Sequence, residues 1–163
     1  MSVDKVRDYF KQWNLDERIK EFDVSSATVE LAAQALHCKP ERIAKSISFK
    51  VDNGCVLIVA AGDAKIDNAK FKALFNTKAK MLKPDEVMDF VGHPVGGVCP
   101  FAVKDNVKVY LDISLKRFNT VFPACGSSNS AIELTLDELE KYSNCISWID
   151  VCKEWQNTVY VGD

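Results

Sequence analysis

Two stretches of this sequence hold the residue types that chemistry needs. In KSISFKV, Lys45, Ile47, Phe49 and Val51 alternate with Ser46, Ser48 and Lys50. A strand's period of two puts the odd set on one face, so an amine shares the mouth of that face with three apolar side chains. A terminal lysine that snorkels out to water fits the same pattern. Further on, VGHPVGGVCPF (Val91 to Phe101) gathers three glycines, two prolines, His93 and Cys99 into eleven residues. Glycine lets a backbone approach a ligand closely and proline fixes the course of a loop. This composition therefore suits a site walled by peptide groups, or else a tight connection between two elements.

Other chemistries find less support. Cys99 and His93 invite nucleophilic hydrolysis of a small ester, but a separation of six residues in a proline-bounded loop is no evidence of contact. His37, the other histidine, reads as a helix-end residue, and with no C-x-x-C or H-x-x-x-H spacing no metal site is expected. GHPVGG lacks the strand–turn–helix setting of a phosphate-binding or dinucleotide fingerprint. No cofactor is expected.

The elements that must position these residues follow from periodicity. Val3, Val6, Phe10 and Trp13 make one face of a first helix. IKEFDV reads as a short strand. Ser25 and Ser26 are offered as N-caps for a helix through ATVELAAQALH, and Pro40 opens a short helical turn. After KSISFKV, DNG marks a hairpin into CVLIVAAG, a strand covered on both faces. AKIDNAKFKALF predicts a helix with Ile66, Ala69, Phe71 and Leu74 inward, AKMLK a short strand and PDEVMDF a helix. Beyond the glycine-rich loop, VKVYLDIS, NTVFPACG, AIELTL and ISWIDV read as strands, with a helix at DELEKYS. The expected fold is α+β, a curved, partly closed mixed β-sheet flanked by short helices.

The 163 residues, 47% hydrophobic, are one domain's worth of chain, so 1–163 is expected to form a single domain. The charged N-terminus and the want of a long apolar run predict a cytoplasmic protein without membrane contact. The six cysteines are expected to be reduced thiols. A net charge of −2 argues against a generic nucleic-acid binder, yet six lysines against one acid lie between Lys65 and Lys83. That run, with Lys70, Lys72 and Lys80 inside it, is either a solvated face or a patch for a polyanion.

Taken together, the lysine of ERIAKSISFKV, the G-x-x-x-P loop Gly96-Gly97-Val98-Cys99-Pro100 and the later ACGSSNSAIELTLDEL resemble the YbaK/prolyl-tRNA synthetase-associated domain family. The resemblance implies a free-standing hydrolase that clears mischarged aminoacyl-tRNA at its acceptor end, with a synthetase or elongation factor as a further partner. It implies that Lys45, Gly96, Gly97 and Pro100 form the catalytic centre, the lysine holding the terminal phosphate. The attacking water would be activated by the ribose hydroxyl and loop carbonyls. Thr28, His93, Val98, Cys99, Gly126 and Ser127 are then candidate substrate contacts, and Lys65, Lys70, Lys72 and Lys80 candidate tRNA contacts. Which small amino acid is removed does not follow. A non-catalytic aminoacyl-tRNA or amino-acid binding module and a Cys99-dependent esterase are the alternatives.

Overall fold

The computed structural model describes residues 2–156. Helix α1 (Ser2–Lys11) buries Val3, Val6 and Phe10, and Trp13 beyond its end packs on Tyr142 with ring centroids 4.6 Å apart. Strand β1 (Lys20–Glu21) leads through a strap to α2 (Val29–Leu36). The cap of α2 is Thr28, whose hydroxyl accepts the Leu31 N–H at 3.2 Å. Ser25 and Ser26, the expected caps, turn instead toward the carbonyl of Ser128. They tie the strap to a neighbouring loop and leave the helix end to the next hydroxyl along the chain.

Strands β2 (Ile43–Val51) and β3 (Gly54–Ala61) form a hairpin through Asp52–Asn53, with Val51 opposite Gly54. Leu57 to Ala61 are wholly buried; at about 1.5–3 kcal/mol for each large apolar side chain, β3 anchors the core. There follow β4 (Lys65–Ile66), α3 (Asn68–Phe75) and α4 (Pro84–Val91). Next come β5 (Val107–Asp112), β6 (Thr120–Pro123), β7 (Ser130–Ala131) and β8 (Leu134–Thr135). Helix α5 (Leu136–Ser143), β9 (Ser147–Ile149) and β10 (Cys152–Lys153) end the described chain.

Six strands, ordered β8-β6-β2-β3-β5-β9, make one curled sheet, while β1 pairs with β7 and β4 with β10 in small ladders. The sheet is mixed: β2–β3 and β6–β8 run antiparallel, and β2–β6, β3–β5 and β5–β9 parallel. This is the α+β architecture read from the sequence. The buried carboxylate of Asp112 accepts the N–H groups of Ser114 and Val151, both at 2.9 Å, and so pins the end of β5 to the chain before β10.

Two local expectations change. On α3, Phe71 is buried and Phe75 packs on it with centroids 4.7 Å apart, whereas Ala69 and Leu74 face outward. Of the four residues chosen by spacing, Phe71 meets Phe49 and Ile66 packs on the core, and Phe75 backs Phe71 as its i, i+4 partner. AKMLK forms only a single bridge, Met81 to Phe49, because Pro84 begins a helix before the ladder can lengthen.

Candidate active site

A cavity of about 330 Å³ brings the two sequence features together. Its floor is β2 from Ile43 to Ser48. Thr28 and Val29 at the head of α2 stand at one side, Val95, Gly96 and Val98 of the glycine-rich loop at another. Phe122, Ala124 and Ala131 close the β6–β7 end, and Met81, Leu82, Pro84 and Val87 the α4 end. Met81 and Val95 are 63% and 60% exposed, so the mouth has an apolar rim.

A break in the sheet creates this space. The outer edge of β2 pairs with β6 only at Ile43 and Ala44. Pairing resumes where the Ser48 carbonyl accepts the Leu82 N–H at 3.1 Å and the Lys50 N–H donates to the Lys80 carbonyl at 2.9 Å. Backbone groups alternate in direction along a strand, so Ser46 presents its N–H and C=O to the same edge, in the gap between the two partners. Continuing that antiparallel register would bring residue 84 opposite the Ser46 carbonyl, and Pro84 has no N–H to give.

Lys45 lies on the other face of β2 from Ser46, with Phe49 in the core and Ile47 and Val51 packed against it. Its ammonium donates to the carbonyls of Gly62, at 3.3 Å, and Ala64, just past the end of β3. Burial holds its pKa below the usual lysine value. Asp63, on the same turn, is held by the Arg117 guanidinium through contacts of 2.6 and 2.9 Å. The result is a partly dehydrated cation fixed on a strand that lines the cavity.

The loop earns its glycines at two adjacent positions. Gly96 has φ +88°, in the left-handed region, and a Cβ there would come 3.3 Å from that of Ala27. At Gly97 a Cβ would lie 2.6 Å from the Ser127 nitrogen and 2.7 Å from the Gly126 carbonyl carbon, so two backbones meet without side chains between them.

The expected contact residues divide into two layers. Lys45, Thr28, Gly96 and Val98 line the cavity. Gly97, Pro100, Gly126 and Ser127 are not among its lining; they back the wall. Gly126 packs against the Ser2 carbonyl, and Ser127 Oγ bonds to Ser130 Oγ at 2.7 Å. His93 and Cys99, expected as substrate contacts, are wholly buried behind the loop and require correction on that ground. His93 Nε2 donates to the Phe101 carbonyl at 2.7 Å, and Cys99 Sγ lies 3.5 Å from that same nitrogen. Burial pushes the Cys99 thiol up to about 12 and lowers the His93 pKa. Neither group is poised as nucleophile or base.

The lysines also separate. Lys70 is tied to Asp150 at 2.9 Å and to the Cys152 carbonyl, and Lys65 lies 3.8 Å from Glu154. Lys72, Lys78 and Lys80 are exposed and carry no ion pair among the described residues. Lys80 and Lys83 flank Met81 and Leu82 on the cavity rim. Sequence reasoning missed Ser46, Ser48 and Ser130 as lining residues, although the even positions of KSISFKV were the signal for the first two. Among the described residues no three histidine, cysteine, aspartate or glutamate side chains converge as a metal ion would require. No described helix is long and apolar enough to cross a membrane.

Comparison with known proteins gives these residues a family. The aminoacyl-tRNA editing domain model matches residues 23–142. The uncharacterized protein YwhH of Bacillus subtilis (strain 168) is 56% identical over 157 residues, covering 96% of this chain and all of that one. The proline–tRNA ligase of Geobacillus sp. (strain WCH70) is 31% identical over 102 residues, 62% of this chain and 18% of the ligase. Among solved structures, a candidate trans-editing enzyme for prolyl tRNA synthetase superposes with a TM-score of 0.84 at 25% identity, over 94% of this chain and 98% of that one. On the extent of the model match, which takes in β2, the glycine-rich loop and the strands that close the cavity, this chain belongs to the aminoacyl-tRNA editing domain family.

Proposed function

We propose that this chain is a trans-editing deacylase that hydrolyses the ester between a small amino acid and the terminal ribose of tRNA. The observation that carries the reading is the convergence of Lys45 and the glycine-rich loop residues Val95, Gly96 and Val98 on one cavity. In the reaction the water oxygen adds to the ester carbonyl carbon and the bond to the ribose oxygen breaks. That oxygen leaves with a proton, and the carboxylic acid is released. The neighbouring ribose hydroxyl and loop carbonyls orient the water, while Lys45 holds the terminal phosphate and so fixes the ester against the loop. Lys45 is a positioning cation here, not a base.

The apolar rim of Met81 and Val95 suits the terminal adenine, and the exposed lysines beside it suit the acceptor-end backbone. A thiol esterase is disfavoured by the burial of Cys99 and its raised pKa. Deacylation of a panel of aminoacyl-tRNAs, each with and without the protein, tests the reading. Hydrolysis of one or a few small aminoacyl esters is expected, and tight binding without turnover across the panel would replace it with a binding module.

A further inference from the structure

Ser46 stands in the cavity floor. Its hydroxyl is buried without a hydrogen-bond partner among the described residues. Its backbone carbonyl faces the gap that opens between Ala44, the last residue paired to β6, and Ser48, where pairing resumes. Leu82, Val87, Val98, Ala124 and Ala131 supply apolar wall around it, and the other lining hydroxyls belong to Ser26, Thr28, Ser48 and Ser130. Ser48, two residues along on the same face, is only 7% exposed. A buried hydroxyl without a partner costs about 1–3 kcal/mol, and a pocket meant for a methyl side chain gains nothing from one.

We propose that Ser46 selects a substrate side chain bearing a hydroxyl, so that serine and threonine esters are preferred over the alanine ester. The inference rests on the deacylase reading above and deepens it. The α-ammonium and the ester stay with the ribose near the mouth, beside Val95 and the loop, so the side chain is the part that reaches the floor. A hydroxyl both donates and accepts. It can donate to the Ser46 carbonyl and, once the Ser46 side chain takes up a rotamer that faces the cavity, accept from its hydroxyl. A methyl group leaves both unmatched, and discrimination against a substrate that lacks the hydrogen-bonding group is the strong kind.

The test charges one tRNA with serine, threonine or alanine and follows single-turnover hydrolysis by the wild-type protein, Ser46→Ala and Ser46→Thr. The wild type should cut the seryl and threonyl esters at least about tenfold faster than the alanyl ester. Ser46→Ala should shrink that ratio by about tenfold or more, and Ser46→Thr, which keeps the hydroxyl, should retain part of it. Because Ser46→Ala removes an unpaired polar group, its unfolding temperature should be unchanged or higher. A wild type indifferent to the side chain, or a Ser46→Ala variant slowed equally on all three esters, overturns the proposal. Binding of the non-hydrolysable 3′-amides of seryl- and alanyl-adenosine separates the two claims. Tighter seryl-amide binding without turnover of any ester sinks the deacylase reading but keeps the selectivity, and turnover without selectivity does the reverse.

Discussion

His93 and Phe101 are joined by a 2.7 Å hydrogen bond from Nε2 to the carbonyl oxygen, which closes the glycine-rich loop on itself inside the core. The carbonyl can only accept, so the neutral ring carries its proton on Nε2, and Nδ1 has no partner among the described residues. His93→Ala should destabilise the fold by about 2–4 kcal/mol through the lost bond and the cavity left behind. Burial, the larger cause, lowers the folded-state pKa below that of a free histidine. The unfolded chain therefore takes up a proton first as pH falls past about 6.5, and stability declines there. Denaturant melts at pH 5 and 7.5 should show this decline in the wild type and a smaller one in His93→Gln.

Lys45→Ala should abolish most deacylation. It should also lower stability by about 1–2 kcal/mol, because two carbonyls lose a charged donor. Lys45→Arg should rescue poorly, a planar fork fitting badly where a compact ammonium reaches two adjacent carbonyls. With its pKa held below 10.5 by burial, Lys45 should lose its charge at a lower pH than a free lysine. The wild-type rate, corrected for spontaneous hydrolysis, should then fall on the alkaline side, whereas any residual Lys45→Arg activity should not. Single-turnover rates beside thermal melts check all three points; wild-type cleavage by Lys45→Ala would place the site elsewhere.

Gly97→Ala should be worse for the fold than Gly96→Ala. The first drives a methyl into the backbone of Gly126–Ser127, which cannot move aside as a side chain can. The second meets the Ala27 methyl at 3.3 Å and adds the strain of a left-handed alanine, about 1–2 kcal/mol. Melting temperatures should rank the two. Deacylation by Gly96→Ala should be depressed even where it remains folded, since the added methyl narrows the cavity wall.

Among the lysines, Lys72, Lys78 and Lys80 should matter for tRNA affinity and Lys70 should matter less, its charge already met by Asp150. The triple change to glutamine should raise KM more than it lowers kcat and should flatten the dependence of binding on salt. Equal salt slopes for variant and wild type would confine tRNA contact to the cavity mouth.

The period-two reading of KSISFKV found the strand and the face that Phe49 buries, because alternation is a local property. The glycine-rich stretch was legible as a backbone wall for the same reason: Gly96 and Gly97 are small because something lies against them. What lies against them was not legible. That Ala27 meets one and Gly126 the other depends on strands β6 and β7, distant in the chain. His93 and Cys99 were misplaced because composition gives no direction; a loop has an inner and an outer side, and only the packing of α1 and Phe101 chooses between them. The even-numbered serines of β2 were given no role, since a cavity on that side exists only where two partners of β2 fail to meet.

An unpaired strand edge is ordinarily a hazard, for it can recruit a strand from another molecule. Here the unpaired length is Lys45 to Ile47, bounded by β6 at one end and by Met81–Leu82 at the other. At about 3.3 Å per residue the opening is roughly 10 Å long, too short to nucleate a ladder. One imino acid at position 84, with no N–H to extend the Met81–Leu82 pairing, thus leaves the edge of β2 open for about three residues, and the neighbours on either side close the rest.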